Sequence, residues 1–319
     1  MSPRHHTVPR FYLRGFANAA DQVTLVARDD PTQSFRRAVR MAASEVGFYR
    51  IETGDLAWEE DKLGYDPENV EAALSQLEGA IAPVVRTLTE GRSDDFDDEH
   101  WYRIVQFTAL QTVRGHRWRN DLTALATLSV RTQILANLDD ERAAQWLDDQ
   151  GEPNGPEEVA AVRTMMAEEW FPRIVAPQAV MVQESLKMAL GNPDTDDRGL
   201  AQYLIGKKPE LILPRETAVL TSDEPICWWS PGDAPIGYAT AQVVWVPLSP
   251  KLILQFREPA FDLSQHGLPD YRIRSNHDPL AVEVNRRVAS QAERWIIHHP
   301  DQNPLAALEL PPRQEWGEE

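Results

Sequence analysis

The sequence predicts an α+β fold, in which long central helices pack with an N-terminal β element and a mostly antiparallel C-terminal sheet closed by a helix. Three observations lead there. Apolar residues recur at helical spacing through the middle of the chain, as Val70, Leu74, Leu77 and Ile81 and again as Ile104, Phe107 and Trp118. Short apolar runs separated by Pro and Gly fill the last third. Strands and helices fall in blocks rather than alternating, which argues against a βαβ sheet. The expected organisation is a single composite domain over residues 1–319. It divides into a β-rich segment 1–65, a helical region 66–190, a β-rich region with its closing helix 191–300, and a tail 301–319.

In chain order, Phe11 to Phe16 is aromatic and basic, too apolar to leave in water. Gln22 to Arg28 alternates as a strand, Asp29-Asp30-Pro31-Thr32 is a turn signal, and Phe35 to Val39 can return as a hairpin. Residues 54–66 read as an acidic loop. Asp66-Pro67-Glu68 then opens a helix, with Pro in its first turn and Glu at its positive end. Gly91 closes it. The acidic run Ser93 to Glu99 starts a long helix over about 95–137, breakable near Gly115. Residues 139–157 read as a polar connection, and a helix over about 157–190 is divided by Pro172 and Pro177. Strands are expected at Leu211-Leu213, Ala218-Thr221, Gln242-Leu248 and Leu252-Phe256. A last helix over about 278–297 starts at Asp278-Pro279 and carries Val282, Val288 and Trp295.

The chain has 319 residues and a formal net charge of −18, so most of its surface repels nucleic acid and anionic membrane. An anionic partner must therefore be met by a local basic pocket. Hydrophobic residues make up 42% and charged residues 26%, within the globular range. No run of about 20 apolar residues offers a membrane span. The opening Met-Ser-Pro-Arg-His-His lacks a signal-peptide core, which makes the cytoplasm the expected location. Cys227 is the only cysteine, so neither an internal disulfide nor a multi-cysteine metal site can form. No P-loop, Gly-x-Gly-x-x-Gly or Gly-x-Ser-x-Gly occurs, and no motif names a cofactor or a protein partner.

Six stretches stand out in order along the chain: His6-Thr7-Val8-Pro9-Arg10-Phe11-Tyr12-Leu13 ending at Phe16, Ala43 to Tyr49 with its Glu45, Gln111-Thr112-Val113-Arg114, Thr221-Ser222-Asp223-Glu224-Pro225, Pro247-Leu248-Ser249-Pro250, and Asn285 on the last helix. Together they resemble the family catalogued as domain of unknown function 4238, with Thr7 in place of its usual tyrosine. The resemblance spans about residues 5–290. It implies that these segments share one architecture and meet in space, and it confers no reaction. Glu224 stands where Asn is commoner, which would add charge to any site there.

The candidate catalytic residues are His6 and Asp223, and the candidate substrate-binding residues are Arg10, Arg14, Gln111 and Arg114. No metal ligands are assigned. At about 100° per residue, His100, Ile104, Phe107, Gln111, Arg114 and Trp118 share one stripe about 80° wide. An arginine on that apolar stripe needs an acceptor, either a protein carboxylate, with Asp223 the favoured partner, or an anionic ligand. Neighbours on an extended segment point opposite ways, so one of His5 and His6 enters a pocket, and His6 fits the family position. It can move a proton, ligate a metal with Asp223 or Glu224, or lock the N-terminal segment by hydrogen bonds. Asp223 follows an apolar strand and can orient His6, bind a cation, pair with Arg114 or cap a turn. Arg114, His116, Arg117 and Arg119 spread round a helix and read as a solvated basic face. Trp228 and Trp229 can wall a pocket but suit the core.

Together these residues point to an enzyme acting on an anionic or phosphate-bearing substrate, a hydrolase or nuclease-like phosphodiesterase. The alternative is a non-catalytic interaction or sensor protein built round a buried polar network.

Overall fold

The computed structural model describes residues 4–51, 66, 69–92, 96–137, 139–167, 173–192, 195–232, 236–262, 265, 278–310 and 312. The expected first-turn Pro67 and Glu68, the opening of the next helix at Ser93 to Asp95, most of the loop 54–66, and Pro172 lie outside these residues. Among the described residues the fold is α+β with antiparallel sheets, as the sequence predicts.

Arg4–His6 (β1) pairs with Ser44–Val46 (β4) as a two-stranded ribbon. Between them come a one-turn helix Arg10–Leu13 (α1) and the hairpin of Gln22–Ala27 (β2) and Ser34–Ala38 (β3). The helices follow as Asn69–Thr89 (α2), Asp98–Thr112 (α3), His116–Asn137 (α4), Asp140–Asp149 (α5), Pro156–Ala167 (α6) and Gln178–Leu190 (α7). The long helix therefore breaks at Val113-Arg114-Gly115. Asp97 caps α3 by accepting the His100 N–H at 2.9 Å, with Asp98 and Glu99 in the first turn. A four-residue turn, Gln202–Ile205 (α8), leads into the second half.

There, Lys208–Ile212 (β5), Leu252–Arg257 (β9), Val243–Ser249 (β8) and Cys227–Trp229 (β7) form one sheet in that order. Alternation along it separates two cores. Val244, Val246, Leu248, Leu254 and Phe256 face α2, α3 and the N-terminal segment. Val243, Trp245, Ile253, Cys227 and Trp229 face Asp278–Gln291 (α9). Trp229 is thus a core residue.

The last helix is shorter than the sequence suggests. It ends at Gln291, and Trp295–His298 is a strand (β10) lying between β2 and Thr221–Ser222 (β6). Ile296 and Ile297 are both fully buried on opposite faces, so this strand has no polar side. An apolar run without alternation cannot be told from a helical end by periodicity. Residues 140–149 were expected as a connection and form a helix instead. Its buried anchors are Ala143 and Leu147, which meet Val159 and Val162 in a small separate cluster with Ala144 packed against it.

The N-terminal segment is built into the core, with Val8, Tyr12, Leu13 and Phe16 at most 1% exposed. Phe107 of the predicted stripe meets Phe11 and Tyr12 at ring-centre distances of 5.6 and 5.5 Å. Tyr12 shares a 2.7 Å hydrogen bond with Thr221 on the far sheet. Gly15 lies so close to β8 that a Cβ would overlap the Leu248 carbonyl oxygen. Gly15→Ala is expected to cost about 1–3 kcal/mol, because backbone rather than a mobile side chain must give way. A thermal melt indistinguishable from wild type would refute this anchoring.

Candidate functional site

Four of the stretches that carry the family resemblance, those holding Thr7, Tyr49, Gln111 to Arg114 and Glu224, meet around the break between α3 and α4. The ribbon sets the two histidines in opposite directions. His5 is fully buried, stacks on the Tyr49 ring at 5.9 Å and accepts the Tyr49 backbone N–H on Nδ1 at 2.7 Å. It is His5, therefore, that locks the N-terminal segment. His6 is half-buried, and its Nδ1 has no partner among the described residues. Burial, then the charges of Arg10 and Arg114, push its pKa down to about 4, against a weaker pull from the Ala42 backbone. Its ring is neutral at pH 7, a poor fit to the proton carrier expected near neutrality. Arg10 is exposed, and Arg14 turns outward to Asp21 at 3.3 Å.

Arg114 is buried, as the stripe requires, but its acceptor is not Asp223. Its Nη1 donates to Glu78 on α2, and its Nε donates to the Tyr49 hydroxyl at 3.0 Å. Burial opposes its charge, and Tyr49 and Glu78 outweigh that, so the guanidinium is held more firmly charged than usual. Tyr49 returns its O–H to the Arg114 carbonyl at 3.2 Å. His5, Tyr49, Arg114 and Glu78 form one buried chain of contacts. The expected basic face disperses likewise. Arg119 sits 3.5 Å over the Phe48 ring and donates to the Phe48 carbonyl at 2.6 Å, while His116 pairs with Glu45.

Asp223 clamps the start of β10. Its carboxylate accepts the backbone N–H groups of Glu293 at 3.1 Å, Arg294 at 2.8 Å and Trp295 at 3.2 Å. Burial lifts its pKa to about 6, and the three N–H donors pull the other way. Among the described residues it makes no hydrogen bond to a histidine.

An open polar cleft lies next to it. A cleft of about 170 Å³ runs between the ribbon, the β2–β3 hairpin and the start of α4, lined by Arg4, Arg37, Glu45, His116, Asp223 and Arg294 among others. Glu45 Oε1 takes Arg294 Nη1 at 2.7 Å and also His116 Nε2. The hydrogen bond from His116 holds the Glu45 carboxyl below its ordinary range, against burial and with help from Arg294. Phe48 meets the His116 ring edge-on at 5.0 Å. Three arginines and a histidine thus face one cleft on a chain of net charge −18. The sequence does not reveal this pair, because 71 residues separate Glu45 from His116. The available signal was Glu45 itself, inside one of the resembling stretches.

Across the Asp223–Glu224 bond is a second cleft, of about 50 Å³, bordered by Gln111, Arg117, Asp121, Glu224, Trp228 and Tyr238 among others. Gln111, a predicted binding residue, is buried and donates from Nε2 to the Thr7 carbonyl at 3.1 Å. Glu224 accepts the Arg117 N–H at the start of α4 at 3.0 Å, and only a glycine at 115 leaves it room. Burial, then the neighbouring Asp223 charge, raises its pKa well above normal. The same burial and the Asp223 charge oppose the negative charge that Glu224 was expected to add.

Glu224→Gln is expected to leave stability at pH 7 within about 1 kcal/mol, because the amide oxygen can still accept from Arg117. In wild type the raised folded values mean that the folded chain binds protons more tightly. Asp223 therefore adds stability as pH falls from about 6 toward 4, and Glu224 acts in the same direction. His6, shifted down, works in the opposite direction over that range. Denaturant melts from pH 7 to 4.5 should show a smaller acid-side gain in the variant. An unchanged pH profile would mean that Glu224 is already ionised.

Among the described residues no group of three His, Cys, Asp or Glu is placed to hold a metal ion, and no helix is long and apolar enough to cross a membrane. A family profile described as "Protein of unknown function (DUF4238)" matches residues 4–302. No curated protein and no solved structure matches the chain.

Proposed function

Since this chain belongs to the DUF4238 family, whose description names no reaction, we propose from its own side chains that it is an enzyme acting on an anionic, phosphate-bearing substrate, a hydrolase of the phosphodiesterase type. The observation that carries this reading is the His116–Glu45 pair at the edge of a cleft bordered by Arg4, Arg37 and Arg294. A carboxylate bound to one imidazole nitrogen fixes the orientation of the ring. Arginines suit the planar, multidentate recognition of phosphate oxygens and offset the charge that grows in the transition state.

In this mechanism a water oxygen bonds to phosphorus as the ester P–O bond breaks. The water proton passes to His116, which returns a proton to the departing alkoxide. Arg4, Arg37 and Arg294 hold the phosphoryl oxygens. Asp223 contributes as a positioning residue, because it fixes the backbone that carries Arg294. The roles assigned in the sequence to His6 and Asp223 thus pass to His116 and Glu45.

A second reading, a non-catalytic binding protein, draws on the internally satisfied chain His5, Tyr49, Arg114 and Glu78. Thermal melts with inorganic phosphate and turnover of bis(p-nitrophenyl) phosphate separate the two. The enzyme reading expects a rise in Tm with phosphate together with release of nitrophenolate. A rise without turnover of this diester or of p-nitrophenyl phosphate favours the binding protein. Indifference to phosphate and sulfate alike removes the anionic-substrate case.

A further inference from the structure

The smaller cleft beside Glu224 is separate from the basic one and plays no part in the reaction proposed above. Its volume of about 50 Å³ suits a few waters or the head of one small ligand. Gln111 is 1% exposed, and its Oε1 has no hydrogen-bond partner among the described residues. The amide cannot flip to cure this, because Nε2 is held by the Thr7 carbonyl at 3.1 Å and a flip would set two oxygens against each other. A fixed, buried acceptor therefore borders the cleft without a donor. Glu224 adds a second acceptor, already tied at Oε1 to the Arg117 N–H at 3.0 Å.

The walls are aromatic. Trp228 and Tyr238 meet edge to face at 5.1 Å, and the indole N–H is spent on Thr112 Oγ1 at 3.1 Å, which leaves the Trp228 ring as apolar surface. The bordering charges lean negative. Arg117 and Asp121 stand one turn apart on α4 and offset each other, while Asp223 and Glu293 act on Glu224 from behind. Acceptors, aromatic faces and a negative surround fit a donor that is positively charged.

We infer that this cleft binds a small primary ammonium ion, with N–H groups donated to Gln111 Oε1 and the Glu224 carboxylate and the apolar part of the ligand against Trp228 and Tyr238. The ligand's charge offsets the burial that disfavours a Glu224 carboxylate, which then serves as its counter-ion.

The test is calorimetric titration of the full chain at pH 7 with ethylammonium chloride. Tetramethylammonium chloride, which has the charge but no N–H, is the control. The expected result is saturable ethylammonium binding, and none with tetramethylammonium. Glu224→Gln should weaken binding by roughly tenfold or more, since one charge-assisted hydrogen bond is lost. Tyr238→Leu, a change on a half-buried wall residue, should also weaken it and gives a second variant if the first melts early. The inference is overturned if ethylammonium gives no saturable heat, as for a cleft holding only water. It is also overturned if tetramethylammonium binds equally, or if both folded variants bind as wild type does.

Discussion

Arg114→Ala is expected to destabilise the protein by about 3 kcal/mol, near the low end of the cost of stranding one member of a buried ion pair. The low end applies because Glu78 keeps a 26% exposed side chain and can recover some hydration, whereas Arg114 is only 5% exposed. The change also removes the Nε donor from the Tyr49 hydroxyl and the cation 5.4 Å above its ring. Arg114→Lys should recover only part of the loss, because an ammonium cannot reach Glu78 and Tyr49 with the fixed fork of a guanidinium. Urea melts of the three proteins check this. If Arg114→Ala melts like wild type but no longer responds to phosphate, Arg114 is a ligand-binding group and the buried chain has been misread.

His116→Ala is expected to do the reverse, lowering diester turnover by about 10²–10⁴-fold while leaving the fold largely intact. His116 is a 28% exposed side chain on the rim of the cleft, and its removal leaves Glu45 still paired with Arg294. Glu45→Gln should reduce turnover less, because it weakens the orientation of the ring without deleting it. In wild type the Glu45 carboxyl is depressed. Its contribution is therefore present above the ordinary carboxylate range and lost as pH falls through its lowered value. A His116→Ala protein with wild-type turnover would end the phosphodiesterase reading.

The sequence foretold what rests on local periodicity. The predicted stripe is buried from Ile104 through Phe107, Gln111 and Arg114 to Trp118, while His100 at its start has a 41% exposed side chain; the break at Gly115 falls where a glycine allowed it. Four of the six resembling segments gather around that break. What spacing could not supply was the partner of each polar group. Arg114 had several carboxylates within reach of a plausible fold, and the choice of Glu78 over Asp223 depends on how α2 lies against α3. His5 and His6 differ only in which side of a three-residue strand each occupies, so a one-residue difference in phase reversed their roles. The pairing of Glu45 with His116 depends on tertiary contact alone.

The position of β10 also sets the order in which the chain can be completed. Trp295–His298 lies between β2 and β6, so Ala27 finds its partner Trp295 only 268 residues later. A ribosome adding about 5–20 residues per second takes on the order of 10–50 s to cover that distance. Throughout that interval the hairpin of β2 and β3 has one edge open, with Val23, Leu25 and Val26 lacking their final cover. The Asp223 clamp faces the same wait, since its three N–H donors are made at residues 293–295. The basic cleft is thus assembled after translation of nearly the whole matched region, and the nascent N-terminal half is the stage most in need of protection from aggregation.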